Sequence, residues 1–253
     1  MNFKNAIVRV PSPEFCNGVT SADLGLPEYE ATLVQHRAYC DALETCGLTV
    51  TELPPLAGFP DAPFVEDTAV VIPELAVITR PGHPARLGEE ESMEPALAAH
   101  KPVARITAPG TLDGGDVLLV DRSFFVGISD RTNAEGARQL GELVAPHGYT
   151  VTPIPVEAGL HLKSSINIVA PNTLLATPDF AGRPEFSDYD ILTVSPTEAY
   201  AGNTLHINGT LITPTGYPET LALLKTLGLP VIELDTSEFR KLDGGLTCLS
   251  LRF

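Results

Sequence analysis

Short apolar runs separated by tight polar turns recur along the whole chain, and eight of them fall into four matched pairs. Residues 68–72 turn through Pro73-Glu-Leu into 76–79, and 117–120 turn through Asp121-Arg-Ser into 124–128. Residues 166–169 with 173–176, and 204–207 with 210–213, follow the same plan, the last pair joined by Asn208-Gly209. Asn-Gly is a strong hairpin signal because both positions tolerate positive φ. Apolar positions at helical spacing predict helices over 28–46, 88–99, 133–145 and 218–227. The third opens on Thr132-Asn-Ala-Glu135, a capping-box pattern with Thr132 as the cap, and Gly148 is its expected stop. Strand-like runs at 47–53, 148–154 and 229–234 follow the first, third and fourth helices. The run 246–252 lacks a following partner and 6–10 lacks a preceding one. Pairing the two completes a fifth unit, closes a ring and implies α/β units around a central axis.

Composition narrows this picture. The chain has 253 residues, 43% of them hydrophobic, which is ample for a core. No linker, low-complexity segment or charge block divides it, so one domain over 1–253 is expected. No segment approaches the ~18 uninterrupted apolar residues of a membrane span, and residues 1–10 read as a strand rather than a signal sequence. A cytoplasmic protein without membrane contact is therefore expected. Sixteen Lys and Arg face 32 Asp and Glu, a net charge of −16. That balance argues against nucleic acid as a partner and favours a cationic small molecule, although its main effect is solubility. The four cysteines, Cys16, Cys40, Cys46 and Cys248, form no Cys-x-x-Cys pair and show no cluster with His at metal-ligand spacing. Neither a disulfide framework nor a structural zinc site is indicated.

In a ring of repeats the segments leading into each hairpin converge on the axis. Here they are polar: Glu66-Asp67, Asp113-Gly-Gly-Asp116, His161-Leu-Lys163, Tyr200-Ala-Gly-Asn203 and Asp243-Gly-Gly-Leu-Thr-Cys248, with Cys248 read at the start of a strand. Such a set suits nucleophilic substitution at an electrophilic carbon. Cys248 would attack as a thiolate, His161 would serve as acid and base, and Asp113 or Asp116 would hold the imidazole. A thiol is mostly protonated near neutral pH, so a cation, either His161 or the substrate, has to stabilise the thiolate. Glu66 and Asp67 could bind a cationic substrate through charge-assisted hydrogen bonds. Taken singly, each feature has a plainer reading: adjacent acids as a turn, Asp-Gly-Gly as turn chemistry, His161 and Cys248 as packed core side chains. Their joint placement is what points to catalysis.

The motifs Arg9-Val-Pro, Phe59-Pro-Asp61, Phe64-Val-Glu66-Asp67, Thr79-Arg80-Pro-Gly, Leu112-Asp113-Gly-Gly-Asp116, Arg131-Thr-Asn-Ala-Glu-Gly-Ala137, His161-Leu-Lys163-Ser164 and Asp243-Gly-Gly-Leu-Thr-Cys248 run from end to end of the chain. In these it resembles the dimethylarginine dimethylaminohydrolases, members of the guanidino-group-modifying (pentein) superfamily. The resemblance implies a five-bladed α/β propeller with pseudo-five-fold repeats, its N- and C-terminal strands closing the ring. It also implies hydrolysis of asymmetric dimethylarginine and monomethylarginine to citrulline and dimethylamine or methylamine, through a covalent cysteine S-alkylthiouronium. Carried over by position, Cys248 is the nucleophile, His161 the general acid and base, and Asp113 the acid that orients it. Glu66 and Asp67 hold the guanidinium, Arg86 and Arg131 grip the substrate carboxylate, and Asp61 with main-chain carbonyls near Val19 and Leu242 receives the α-amine. The segment Phe15-Cys-Asn-Gly-Val-Thr20 is the expected lid. No metal or organic cofactor is implied, though zinc could bind the Cys and His and inhibit, and a monomer or homodimer is expected. The alternatives are an arginine deiminase or another guanidino or ureido amino-acid hydrolase, and a non-catalytic ribosome anti-association form. Lys163, standing where deiminases typically carry Asp, favours an alkylated guanidinium by leaving room for methyl groups.

Overall fold

The computed structural model describes residues 2–157 and 160–253. Its strands form five separate three-stranded sheets, and all five share one plan. Following the chain, β1 (Asn5–Arg9) is followed by α1 (Tyr29–Thr45) and β2 (Thr49–Leu53). The next sheet holds β3 (Ala69–Val71), β4 (Ala76–Ile78) and, after α2 (Glu94–Ala98), β5 (Val103–Arg105). Then come β6 (Val117–Val120), β7 (Ser123–Ile128), α3 (Ala134–Val144) and β8 (Thr150–Pro155). The fourth unit holds β9 (Ile166–Ala170), β10 (Thr173–Ala176), α4 (Pro178–Ala181) and β11 (Asp190–Thr193). The fifth holds β12 (Leu205–Ile207), β13 (Thr210–Pro214), α5 (Pro218–Lys225) and β14 (Val231–Leu234), after which α6 (Ser237–Arg240) leads to β15 (Leu251–Arg252). In each sheet an antiparallel pair is extended by a parallel third strand.

The ring closes as the terminal runs imply. β15 pairs antiparallel with β1 in the register Ala6↔Arg252 and Ile7↔Leu251. The fold is the five-bladed α/β propeller. Some local readings change. Only Leu251–Arg252 of the run 246–252 is strand; Leu246–Leu249, with Cys248, is a 3-10 turn, because Gly244 and Gly245 pass too close to the neighbouring segments for a regular ladder. The cap of α3 is Asn133, whose side chain accepts from Gly136 N–H at 2.8 Å, while the Thr132 hydroxyl turns inward and accepts from Asp113 N–H at 3.0 Å. The predicted helix at 88–99 is a 3-10 turn, Glu89–Ser92, followed by the short α2. β5 and β11 carry little apolar patterning, being short outer strands only partly buried or exposed, and had no sequence signal.

Each blade buries an apolar helix face against its sheet. On α1 the buried positions are Thr32, Gln35, His36, Tyr39, Cys40, Ala42 and Leu43, one stripe at helical spacing. On α3, Ala137, Leu140 and Val144 pack with Val77, Val117, Phe124 and Tyr149. Each fully buried Leu or Phe in such a layer contributes about 1.5–3 kcal/mol. No helix among the described residues is long and apolar enough to cross a membrane.

Candidate active site

Around the axis, residues next or nearly next to one another line two different spaces. Asp67, Asp113, His161 and Cys248 line a small pocket of about 30 Å³ together with Val19, Asp61, Phe64, Arg86, Arg131, Leu160, Leu242, Asp243 and Gly244. Their neighbours Glu66, Gly114, Lys163 and Thr247 line a separate cavity on the other side. Outside the pocket lies a broad cleft of about 1610 Å³, and Arg131, Leu160 and Asp243 line both. The pocket holds about one water.

His161 Nε2 lies 3.1 Å from Asp113 Oδ2 and 3.9 Å from Asp67 Oδ1. Asp113 is itself fixed, since its Oδ1 accepts from Gly82 N–H at 2.9 Å. Asp67 Oδ1 accepts from Gly115 N–H at 2.8 Å. Gly115 has to be glycine, because a Cβ there would lie 2.8 Å from both Asp67 and the His161 ring. Burial works against a charged imidazole, but Asp67, Asp113 and Asp116 outweigh it and raise the His161 pKa to about 9. Burial likewise opposes ionisation of Asp67, yet His161 and Arg86 hold its carboxyl down at about 2. Cys248 behaves oppositely: enclosure and the charges of Glu66 and Asp67 push its thiol up to about 12, against weak help from Gly245 N–H and Thr247. The side chain is only partly buried, and what it is exposed to is the pocket it lines. Near neutral pH the directions of these shifts favour an imidazolium at His161 and a protonated thiol at Cys248.

Three sequence expectations change. Glu66 does not line the pocket; its Oε1 accepts from Lys163 Nζ at 2.7 Å and Arg252 Nη2 at 3.2 Å, so its charge is already met by two cations on the far side of the axis. Lys163 sits there too, so residue 163 bears on the site by leaving a carboxylate out rather than by contact. Arg86 does not stand free to grip a carboxylate. It is 5% exposed, and its guanidinium pairs with Asp67 at 2.5 Å and Glu89 at 2.7 Å and donates to the carbonyls of Phe64 and Asp61 at 3.2 and 3.4 Å. A buried guanidinium needs such a full set of partners, which is why it turns inward. Burial disfavours its charge, but Asp67 and Glu89 more than compensate and hold its pKa above the ordinary value. Burial pushes the second acid of this group, Glu89, up to about 7 despite Arg86.

The other expected residues fall at the pocket. Arg131 is partly exposed, and its guanidinium has no hydrogen-bond or ion-pair partner among the described residues. Asp61 takes Val19 N–H on both oxygens, at 3.2 and 3.1 Å, and Leu242 completes that wall. Of the two acids considered for His161, Asp113 makes the contact, while Asp116 bonds Ser129 and the Leu162 amide. The expected lid, 15–20, starts on an anchor: Phe15 is fully buried against Phe64 and Phe239, and just beyond the lid residues 21–24 line the cleft, with Leu24 and Leu26 exposed. Asp243 was missed as a pocket residue; its left-handed backbone, φ 58°, follows from no sequence signal except the glycines after it.

Among the described residues two groups bring ligand atoms within 4.8 Å of one another: Asp67, Asp113 and His161 in the pocket, and His36, Cys40 and exposed Glu52 on α1 and β2. The first differs from the expected Cys and His pair, and its Asp67 is already engaged by Arg86. The second shows that His36 and Cys40 do share one helix face, four residues apart, with Nδ1 and Sγ 3.8 Å apart.

The chain is 45% identical over 253 residues to the N(G),N(G)-dimethylarginine dimethylaminohydrolase of Pseudomonas aeruginosa, covering 99% of this chain and 100% of that one. It is 37% identical over 254 residues to the enzyme of the same name from Streptomyces coelicolor, covering 100% and 98%. A solved structure of the Pseudomonas enzyme, a cysteine-to-serine mutant complexed with citrulline, superposes with a TM-score of 0.98 at 44% identity over the whole of both chains. The N-terminal domain of ArgZ, a cyanobacterial arginine dihydrolase, shares the fold with a TM-score of 0.89 at 19% identity, over 100% and 97% of the two chains. No family model matches the chain.

Proposed function

The chain belongs to the dimethylarginine dimethylaminohydrolase family, and from that membership and its pocket we propose that it hydrolyses Nω-methylated arginine to citrulline and a methylated amine. The observation that carries this reading is the meeting of Cys248, His161 and Asp67 in one pocket. A thiol with its pKa pushed up to about 12 is a poor nucleophile alone. A bound guanidinium reverses that, because its charge beside the sulfur favours the thiolate while Asp67 keeps the guanidinium protonated and its carbon electrophilic.

The thiol proton leaves to solvent and the thiolate attacks the guanidinium carbon, forming a C–S bond. His161, an imidazolium below its pKa of about 9, gives its proton to the methylated nitrogen, and the C–N bond breaks. The amine departs, leaving an S-alkylthiouronium on Cys248. Neutral His161 then takes one proton from water, which attacks the same carbon; the C–S bond breaks, the remaining hydroxyl proton passes to the departing thiolate as citrulline forms, and both the imidazolium and the thiol are restored. Asp113, 3.1 Å from Nε2, keeps the ring oriented through both transfers. Arg131, with its unpaired guanidinium at the border of cleft and pocket, is our choice for the substrate carboxylate, and Asp61 beside the Val19 and Leu242 main chain for the α-amine.

A panel of arginine, monomethylarginine, asymmetric dimethylarginine, agmatine and citrulline, assayed for ureido product and released amine or ammonia, tests the reading. Turnover confined to the methylated arginines is expected; preferential turnover of unsubstituted arginine with release of ammonia would overturn it. Cys248→Ser and His161→Ala should each lower turnover by about 10³-fold or more. Intact mass after acid quenching should show an adduct that Cys248→Ser abolishes.

A further inference from the structure

We infer that Asp116 is the residue that positions the general acid and base and the carboxylate-binding arginine together, one carboxylate oxygen serving each. This rests on the roles proposed above for His161 and Arg131.

Asp116 ends the turn Gly114–Asp116 at the start of β6 and has no exposed surface. Its Oδ1 accepts from the Leu162 amide at 2.9 Å, which fixes the peptide that follows His161. Its Oδ2 accepts from the Ser129 hydroxyl at 2.6 Å. With its proton committed to Asp116, the Ser129 oxygen faces the next turn and accepts from the Arg131 and Thr132 amides at 3.0 and 3.2 Å. Thr132 in turn accepts from Asp113 N–H at 3.0 Å. Starting from one buried carboxylate, a chain of direct hydrogen bonds therefore reaches the backbone of His161's neighbour, of Arg131 and of Asp113.

The surroundings reserve space for this arrangement. Gly127 stands opposite, and a Cβ there would lie 2.7 Å from Asp116 Oδ1 and 3.0 Å from the Leu162 side chain. Its φ is not left-handed, so glycine is required at this position by the carboxylate's approach and not by the backbone. A buried charge in a three-way hydrogen-bond network is costly to keep and costlier to break, which makes it a sharp determinant of local geometry. Asp116 also acts on His161 as a charge, alongside Asp67 and Asp113, while Arg86 and Cys248 line the same pocket as His161; burial raises the pKa of the Asp116 carboxyl itself, against the pull of His161, Ser129 and Thr132.

Asp116→Asn keeps the shape but offers one acceptor in place of two, so one arm has to fail. The expected result is a loss of about 10²-fold in kcat/KM for asymmetric dimethylarginine, the scale of an ångström-sized misplacement. It should be accompanied by a lower imidazole pKa for His161, followed by NMR of the substrate-free protein. Ser129→Ala cuts the arm to the Arg131 and Thr132 amides and leaves the Leu162 arm bonded. It should raise KM for α-amino-acid substrates about tenfold, with a smaller loss of kcat and a smaller His161 shift than Asp116→Asn. A role confined to stability predicts the reverse: a lower melting temperature in both variants, with kcat, KM and the His161 titration unchanged per active site. That outcome overturns the inference. If Asp116→Asn does not fold, the KM-against-kcat split in Ser129→Ala decides, an unchanged KM counting against. The NMR arm needs no substrate, so it separates failure here from failure of the substrate assignment, which the wild-type panel reports.

Discussion

The chain uses the tripeptide Asp-Gly-Gly twice at the axis, and the two copies do different work. Asp113 has an extended backbone, φ −100°, is buried, and points its carboxylate inward at His161 and the Gly82 amide. Asp243 is left-handed, φ 58°, and its Oδ2 reaches outward to Ser21 N–H at 2.6 Å and to the Ser21 and Thr20 hydroxyls at 3.0 and 3.2 Å. What they share lies in the glycines. A Cβ on Gly114 would sit 1.9 Å from the Glu66 carbonyl oxygen, and one on Gly244 would sit 2.3 Å from the Phe64 ring. The glycines answer a common demand, that neighbouring blades nearly touch at the axis. The backbone angle of the preceding Asp then decides whether its charge faces the imidazole or the cover over the cleft.

Replacing the glycines breaks the shared part and should have the largest effect. Gly114→Ala drives a methyl into a backbone oxygen that cannot retreat, and loss of the folded protein is expected in a thermal melt. Gly244→Ala meets the edge of the packed Phe64 ring rather than backbone at clashing distance, so the smaller destabilisation of about 1–3 kcal/mol is expected. Equal losses would show that close approach is not what the glycines serve. Next in size is Asp113→Asn, which should lower kcat by about 10²-fold or more through misorientation of the imidazole. It also removes a carboxylate that raises the His161 pKa, so the alkaline fall of the pH profile, set by loss of the imidazolium near pH 9, should move to lower pH. An alkaline limb that stays in place would separate Asp113 from the proton transfers. Asp243→Ala should do least: kcat within about twofold, KM up by several-fold, and faster proteolysis within residues 20–26, because only the cover is released. A collapse of kcat in this variant would erase the distinction between the two copies.

The outline of this molecule is legible in its sequence wherever one local rule suffices. Paired apolar runs with Asn208-Gly209 or Pro73-Glu-Leu between them specify hairpins, and the unpaired runs at the two ends specify the closure that Ala6 and Arg252 make. Convergence of Cys248, His161, Asp113 and Asp67 follows from the repeat. Side-chain direction at the axis does not. Glu66 and Asp67 are adjacent and chemically alike, and which of them faces the pocket depends on the twist of a short 3-10 turn. Arg86 was assigned to a carboxylate outside the protein, but the nearest carboxylates, Asp67 and Glu89, lie within it and come together only on folding. The shift of the α3 cap from Thr132 to Asn133 has the same origin, since the Thr132 hydroxyl is taken by Asp113 from another part of the chain.

The pairing of Glu66 with Lys163 and Arg252 bears on traffic as well as on charge. It fills the axis behind the nucleophile with paired charge, while the pocket meets the cleft at Arg131, Leu160 and Asp243. On the mechanism proposed above, two products and one water would share that side of the pocket. The amine, small and free, would have to back out past a still-tethered amino acid before water could take its place. The architecture thus writes a queue into the catalytic cycle, with the amine first, water second and citrulline last.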